Sequence, residues 1–176
     1  MGDSDGGPSP AESDSAGEVV VVSDRQRDLL VAQERWAGLL HRVLAEEQVA
    51  APWEAGLSFV AADEMASLNA EHRGIDKPTD VLAFGADDGS APRAADEPRL
   101  VGDVVICPSV AASNAAAHGK AVDDELALLV VHGTLHLLGY DHVDDNDARL
   151  MEGREQELLT LASAGDALAG SRAGAP

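Results

Sequence analysis

The sequence predicts one α+β domain, a mixed α/β arrangement in which about four strands form a mixed sheet packed with about five helices. Three observations carry that prediction. The chain has 176 residues, 45% of them hydrophobic, a size and composition that suit a single compact core. Short β-branched runs alternate with longer stretches of helical periodicity. The connections between strand candidates are too long for a pure meander. Aromatic residues contribute only 3%, so Ala, Val and Leu must build the core.

Residues 1–17 are a low-complexity mixture of Gly, Ser, Pro and Asp. They read as a disordered acidic tail and lack the apolar stretch of a secretion signal. The domain is expected over 18–162, followed by a second disordered tail over 163–176. Within it, Val19–Val22 is a β-branched run that reads as the first strand. From about Asp28 to Val49, the apolar residues Leu29, Leu30, Trp36, Leu39, Leu40, Val43 and Leu44 recur at helical spacing until Ala51-Pro52 breaks the pattern. Leu57–Ala61 is the second strand, and Asp63 is placed to cap a short helix through Leu68. Pro78-Thr79 leads into a third strand, Asp80–Phe84. The Gly, Asp, Pro and Ala of residues 85–98 read as a long mobile loop. Leu100–Ile106 is the fourth strand, with an irregularity or bulge expected at Gly102-Asp103. Three helices follow Pro108, over about 109–118, 122–138 and 145–161, and no internal repeat is visible.

No stretch of about 18 apolar residues occurs, so no membrane span is expected. The single cysteine, Cys107, cannot form an intramolecular disulfide and ends an apolar strand. It reads as a buried thiol, and a reducing cytoplasm is the simplest location. The formal charge of −20 argues against a broad nucleic-acid-binding face, which needs Lys and Arg to displace counterions. The acids are partly segregated, however. Met1–Glu18 has no base, and Asp144–Glu157 sets six acids against Arg149 and Arg154. Arg25, Arg27, Arg35 and Arg42 fall together, as do Arg73 and Lys77. A local basic cleft on an acidic, solubilising body remains compatible with that distribution.

The chemistry is concentrated in His132-Gly133-Thr134-Leu135-His136-Leu137-Leu138-Gly139-Tyr140-Asp141-His142, which holds three of the six histidines. His132 and His136 are four apart on a helical stretch, so both imidazoles leave one face, a turn apart. Gly139 stands where the helix can end on a left-handed residue. The reversing chain can then return His142 as third ligand. Three neutral imidazoles suit one zinc ion and leave a coordination position open, as catalytic zinc sites do. Imidazole also accepts nickel and copper. A histidine pair alone would more often be a solvated or core pair; the triple with its glycine points to metal. The spacing is that of the extended zinc-protease motif, His-Glu-x-x-His-x-x-Gly-x-x-His, but Gly133 stands where the protease has its general base. Peptide hydrolysis is thereby disfavoured.

The His132–His142 segment resembles the signature of the YbeY family of bacterial zinc-dependent endoribonucleases. Two further blocks agree: Leu68-Asn69-Ala70-Glu71-His72-Arg73-Gly74-Ile75-Asp76-Lys77-Pro78-Thr79-Asp80-Val81-Leu82-Ala83-Phe84, and Gly102-Asp103-Val104-Val105-Ile106. The resemblance spans roughly Val19–Leu161. It implies cleavage of single-stranded RNA, with roles in maturing the 3′ end of 16S ribosomal RNA and in ribosome quality control. It also implies RNA and the ribosome or its proteins as partners. His72, Ala83 and Gly85 depart from the tyrosine, serine and proline usual in the family, and the acidic extension and the 85–98 loop are atypical.

Arg73 matches the family at a position where a guanidinium can stabilise charge on a phosphate; an anonymous arginine there would simply pair with Glu71 or Asp76. Asp141 could replace the missing general base, although a residue so placed more often orients a ligand histidine or binds the turn backbone. Lys77 before Pro78 needs no function. His72 and His118 have no partner at ligand spacing and read as partly exposed non-ligands. Leu126, Leu129, Val130 and Leu137 read as core. Two alternatives remain at this stage, a zinc peptidase with a non-standard base and a non-catalytic ribosome-associated factor. The oligomeric state is left open.

Overall fold

The sheet grows from alternation. In β2 (Trp53–Phe59) Trp53, Ala55, Leu57 and Phe59 turn inward and are buried, while Glu54, Gly56 and Ser58 face the other way. β1 (Glu18–Asp24) lies parallel to it, with Val20 opposite Ala55 and Val22 opposite Leu57. β4 (Arg99–Ile106) pairs parallel on the other side of β2, and β3 (Val81–Gly85) closes the sheet antiparallel to β4, giving the order β1-β2-β4-β3. Parallel neighbours require long crossovers, which is why the connections are too long for a meander. The structure, a computed structural model, describes residues 17–86 and 92–172, with side chains to 164. Most of the expected N-terminal tail, residues 87–91 of the expected loop and residues 173–176 lie outside the described residues.

The expected irregularity in β4 is a bulge. Leu100 faces Glu54 and Gly102 faces Ala55, leaving Val101 as the extra residue. Gly102 has φ +134, and any side chain there would meet the Phe84 carbonyl, so only glycine fits.

Five helices complete the described fold: α1 (Gln33–Glu46), α2 (Ala62–Arg73), α3 (Pro108–Ala117), α4 (Val122–Leu137) and α5 (Asp145–Arg172). α1 starts later than its periodicity suggests. The Gln26 side chain takes the backbone ahead of it, accepting from the N–H groups of Asp28 at 2.8 Å and Leu29 at 3.0 Å and donating to the Leu29 carbonyl at 2.7 Å. Such bonds hold a turn in place of a helix, and Leu30 is left fully exposed. α2 runs past Leu68 to Arg73 and ends at Gly74, φ +70, whose N–H bonds the Ala70 carbonyl at 3.0 Å. Asp63 is not its cap; it sits in the first turn, where a carboxylate suits the helix dipole, and Ala61 is the capping residue. α5 continues to Arg172, through the stretch read from Ser163 onward as a tail. Its Ala and Leu content favours helix, a preference that a reading from overall composition overlooks.

The main core lies on one side of the sheet. Trp36, Leu40, Val43 and Leu44 of α1 and Leu126, Val130, Val131 and Leu135 of α4 pack there against Leu57, Phe59, Val104 and Ile106. A smaller cluster of Val60, Met65, Leu82, Val105 and the buried Cys107 fills the space beneath α2. α4 touches α1, α3, α5, β3 and β4, so it is the fixed centre of the fold. No helix among the described residues is long and apolar enough to cross a membrane.

Candidate metal centre

α4 presents its polar exceptions at one end. Val131, Thr134 and Leu135 are buried on its packed faces, while His132 and His136, half-buried, point along the edge toward a cleft. The helix then stops as expected. Leu138 leaves helical geometry, Gly139 takes φ +91, and the N–H groups of Gly139 and Tyr140 return to the carbonyls of His136 and Leu135 at 3.1 Å each. This is a Schellman ending, and it reverses the chain so that His142 comes back over the helix end.

The three rings converge. The Nε2 atoms of His132 and His136 are 3.0 Å apart, and the His142 ring centroid lies 5.0 Å from that of His136 and 5.8 Å from that of His132. One nitrogen from each ring falls within 4.8 Å of the others, so His132, His136 and His142 form a group that could hold a metal ion. Burial first, and then the two neighbouring imidazoles, push the His136 pKa below its usual value; the Tyr140 backbone and Asp141 act in the opposite sense. Neutral imidazole is the form a metal binds, so the donor set fits zinc on its own chemistry.

Other groups complete the cleft, which encloses about 400 Å³ and is lined by Arg73, Thr79, Asp80, Gly133 and Asp141 as well as the histidines. Arg73, on the last turn of α2, is exposed and makes no ion pair or hydrogen bond among the described residues, with Glu71 and Asp76 included. Asp141 accepts from the His142 backbone N–H at 2.8 Å, and the same oxygen lies 3.8 Å from His142 Nδ1. Lys77 does not line the cleft; its carbonyl accepts from Asn69 at 2.8 Å. His72 packs beside Phe84, and His118 bonds the Asn114 carbonyl. Nor do the early arginines gather at the cleft: Arg25 pairs with Glu64, Arg35 with Asp123, and Arg42 donates to the Leu161 carbonyl. A second cavity of about 350 Å³, between α1, α4 and α5, holds none of the histidines.

Two carboxylates escaped sequence reasoning. Asp80 accepts from Val81 N–H at 2.8 Å and from Asn114 at 3.1 Å, which fixes it in the cleft wall. Glu155 reaches from α5 to His132 Nδ1. Asp80 at least follows Thr79 within a family-like block; nothing local marks Glu155.

Gly133 has a structural cause. A Cβ there would lie 2.6 Å from Val104 Cγ1 and 3.3 Å from Val81 Cγ2. α4 rests too closely on β3 and β4 for a side chain at this position, so the glutamate of a zinc protease has no room.

A family model described as Endoribonuclease YbeY matches residues 21–163. The chain belongs to the YbeY family. The Endoribonuclease YbeY of Chromohalobacter salexigens is 43% identical over 149 residues, covering 83% of this chain and 92% of the relative. That of Desulforamulus reducens is 39% identical over 145 residues, covering 80% and 94%. Among solved structures, the solution structure of TM1509 from Thermotoga maritima superposes with a TM-score of 0.57 at 23% identity, covering 87% of this chain and 95% of that one. This last likeness establishes a shared fold.

Proposed function

We propose that the chain is a zinc-dependent endoribonuclease that cleaves single-stranded RNA in maturation of the 3′ end of 16S ribosomal RNA and in ribosome quality control, working in the cytoplasm. The observation that carries the proposal is the convergence of three imidazoles in a cleft that also holds Arg73, unpaired among the described residues, in a chain of the YbeY family. His132, His136 and His142 would hold one ion. When bound, zinc supplies Lewis acidity toward a water or a phosphate oxygen and adds positive charge to a cleft that contains Asp80 and Asp141. Arg73 binds a phosphate through two parallel N–H donors and stabilises the negative charge that grows as the phosphodiester bond breaks. Asp80, pinned by Asn114 and Val81, holds its part of the cleft wall in place. Asp141 orders the turn that carries His142 and lies near enough to the rings to take a proton from the nucleophile. The attacking oxygen is a water or the ribose 2′-hydroxyl, which the ends of the product distinguish: a 2′,3′-cyclic phosphate identifies the ribose.

The peptidase alternative has no base at Gly133 and no room for one. A purely structural metal would not require Arg73 to stand unpaired beside it. The test is to offer the purified chain labelled single-stranded RNA and a casein peptide, with and without chelator, alongside metal analysis of the native protein. RNA cleavage that chelator abolishes supports the proposal. Peptide cleavage, or zinc-loaded protein inert toward RNA, rejects it. The acidic surface predicts RNA binding confined to the cleft and weakening with salt. Docking on ribosomal proteins would then supply affinity, which co-sedimentation with ribosomes measures.

A further inference from the structure

We infer that Glu155 is a positioning residue for the metal centre: its carboxylate holds the His132 ring so that Nε2 faces His136, and this raises the affinity for the ion. The inference rests on the reading that the three histidines bind a metal.

The buried face of α5 is Met151, Glu155 and Leu158, spaced four and three residues apart, with exposures of 1%, 9% and 2%. Two of the three are apolar. A carboxylate between them is withdrawn from water at a cost that only a good partner offsets. The partner is His132 Nδ1, 23 residues earlier in the chain. Other acids of the helix, Glu152 and Glu157, are exposed, so the burial of Glu155 is particular to this position.

The contact has a definite chemical consequence. In this contact the carboxylate oxygen accepts and Nδ1 of His132 donates. The lone pair is then on Nε2, the atom 3.0 Å from Nε2 of His136. Glu155 therefore fixes both the tautomer and the rotation of the ring, the two properties a ligand histidine needs set before an ion arrives. His142 has no comparable brace among the described residues. Its Nδ1 is 3.8 Å from Asp141, and its side chain is 54% exposed.

A plain structural tie between α4 and α5 would make a different prediction. Removing it would lower the melting temperature and leave metal binding unchanged, and an apolar replacement of similar volume would be tolerated. Zinc affinity of the full chain should be measured by competition with a chromophoric chelator, together with the visible spectrum of the cobalt-substituted protein and melting of the metal-free form. Glu155→Ala is expected to weaken zinc about 10- to 100-fold and to alter the cobalt spectrum. Glu155→Gln keeps one acceptor oxygen and should recover most of that loss. Glu155→Leu should match the wild type in melting temperature but bind zinc as poorly as the alanine variant. Wild-type affinity and spectrum in Glu155→Leu overturn the inference while leaving the metal reading intact. If Glu155→Ala does not fold, the leucine and glutamine variants decide the matter by the same readouts. Failure of the unmodified chain to bind zinc or cobalt rejects the metal reading itself.

Discussion

The candidate metal centre, a histidine cluster that could hold an ion, has two halves with different foundations. His132 and His136 stand on α4, where their neighbours Val131, Thr134 and Leu135 are fully buried, so the positions of their Cα atoms are set by the core. His142 stands on the turn beyond, five residues after the helix ends, among exposed neighbours. There the backbone is held by hydrogen bonds instead: the Schellman pair, the Asp141–His142 contact, and Tyr140, whose hydroxyl donates to Glu47 at 2.9 Å. Glu47 also receives Arg154 of α5. The contrast teaches that packing places ligands only as far as the regular element extends. Beyond it, polar ties to distant elements must take over.

The largest expected effect comes from breaking the helix half. His136→Ala should strip the metal and lower RNA turnover roughly a thousandfold or more, the scale on which several kcal/mol of Lewis-acid stabilisation is lost. Metal content by elemental assay and turnover on single-stranded RNA check it; a variant that keeps its metal would show that the helix is not the anchor. Next comes the wall opposite α4. Arg73→Glu should keep bound metal and lose about 10²- to 10³-fold in cleavage, the range for removing one preorganised donor. Unchanged turnover in that variant would remove Arg73 from the mechanism.

The two halves were also unequally legible in the sequence. His132, His136 and Gly139 are readable because helical spacing is a local code, and a left-handed ending announces itself as glycine. Strands are readable where a β-branched run marks them, as in β1; β2, expected over Leu57–Ala61, runs Trp53–Phe59 instead and has no β-branched residue to mark its start. Element ends were less so. α2 outlasts Leu68 because Glu71–Arg73 are exposed, so apolar periodicity fades although the helix continues. α1 begins late because one side chain, Gln26, captures the backbone ahead of it. Strand order depends on which edges meet and left no local trace. Glu155 and Glu47 were illegible for the strongest reason. Each acts on the site through another element, and an acid in a run of acids looks like a solvated face until its burial is known.

Gly133→Ala tests the helix half at its foundation. The added methyl would meet Val104 Cγ1 at 2.6 Å and Cγ2 at 3.2 Å, so α4 must lift from the sheet or Val104 must shift. Overpacking of this kind costs about 1–3 kcal/mol, and for a domain of this size each kcal/mol lowers the melting temperature by about 2–4 °C. Because Gly133 adjoins His132, zinc affinity should fall with stability. A loss of stability with unchanged affinity would show that the ligands tolerate movement of their helix.

Tyr140→Phe is the corresponding test of the turn half, and the smallest effect expected. It removes one hydroxyl and keeps the ring. Burial, followed by the bond to Glu47, raises the Tyr140 pKa, so the hydroxyl is protonated at neutral pH and the deleted interaction is a donated hydrogen bond. Glu47 keeps Arg154 as a partner, so no buried charge is orphaned and the loss should lie in the ordinary range of about 0.5–1.5 kcal/mol. The informative quantity is how that loss divides. If polar ties place His142, zinc affinity should fall by a few-fold, about what 0.5–1 kcal/mol implies, with little change in melting temperature. If α4 alone sets the site, melting should fall slightly and affinity should not move, and the division of the centre into two differently anchored halves would be lost.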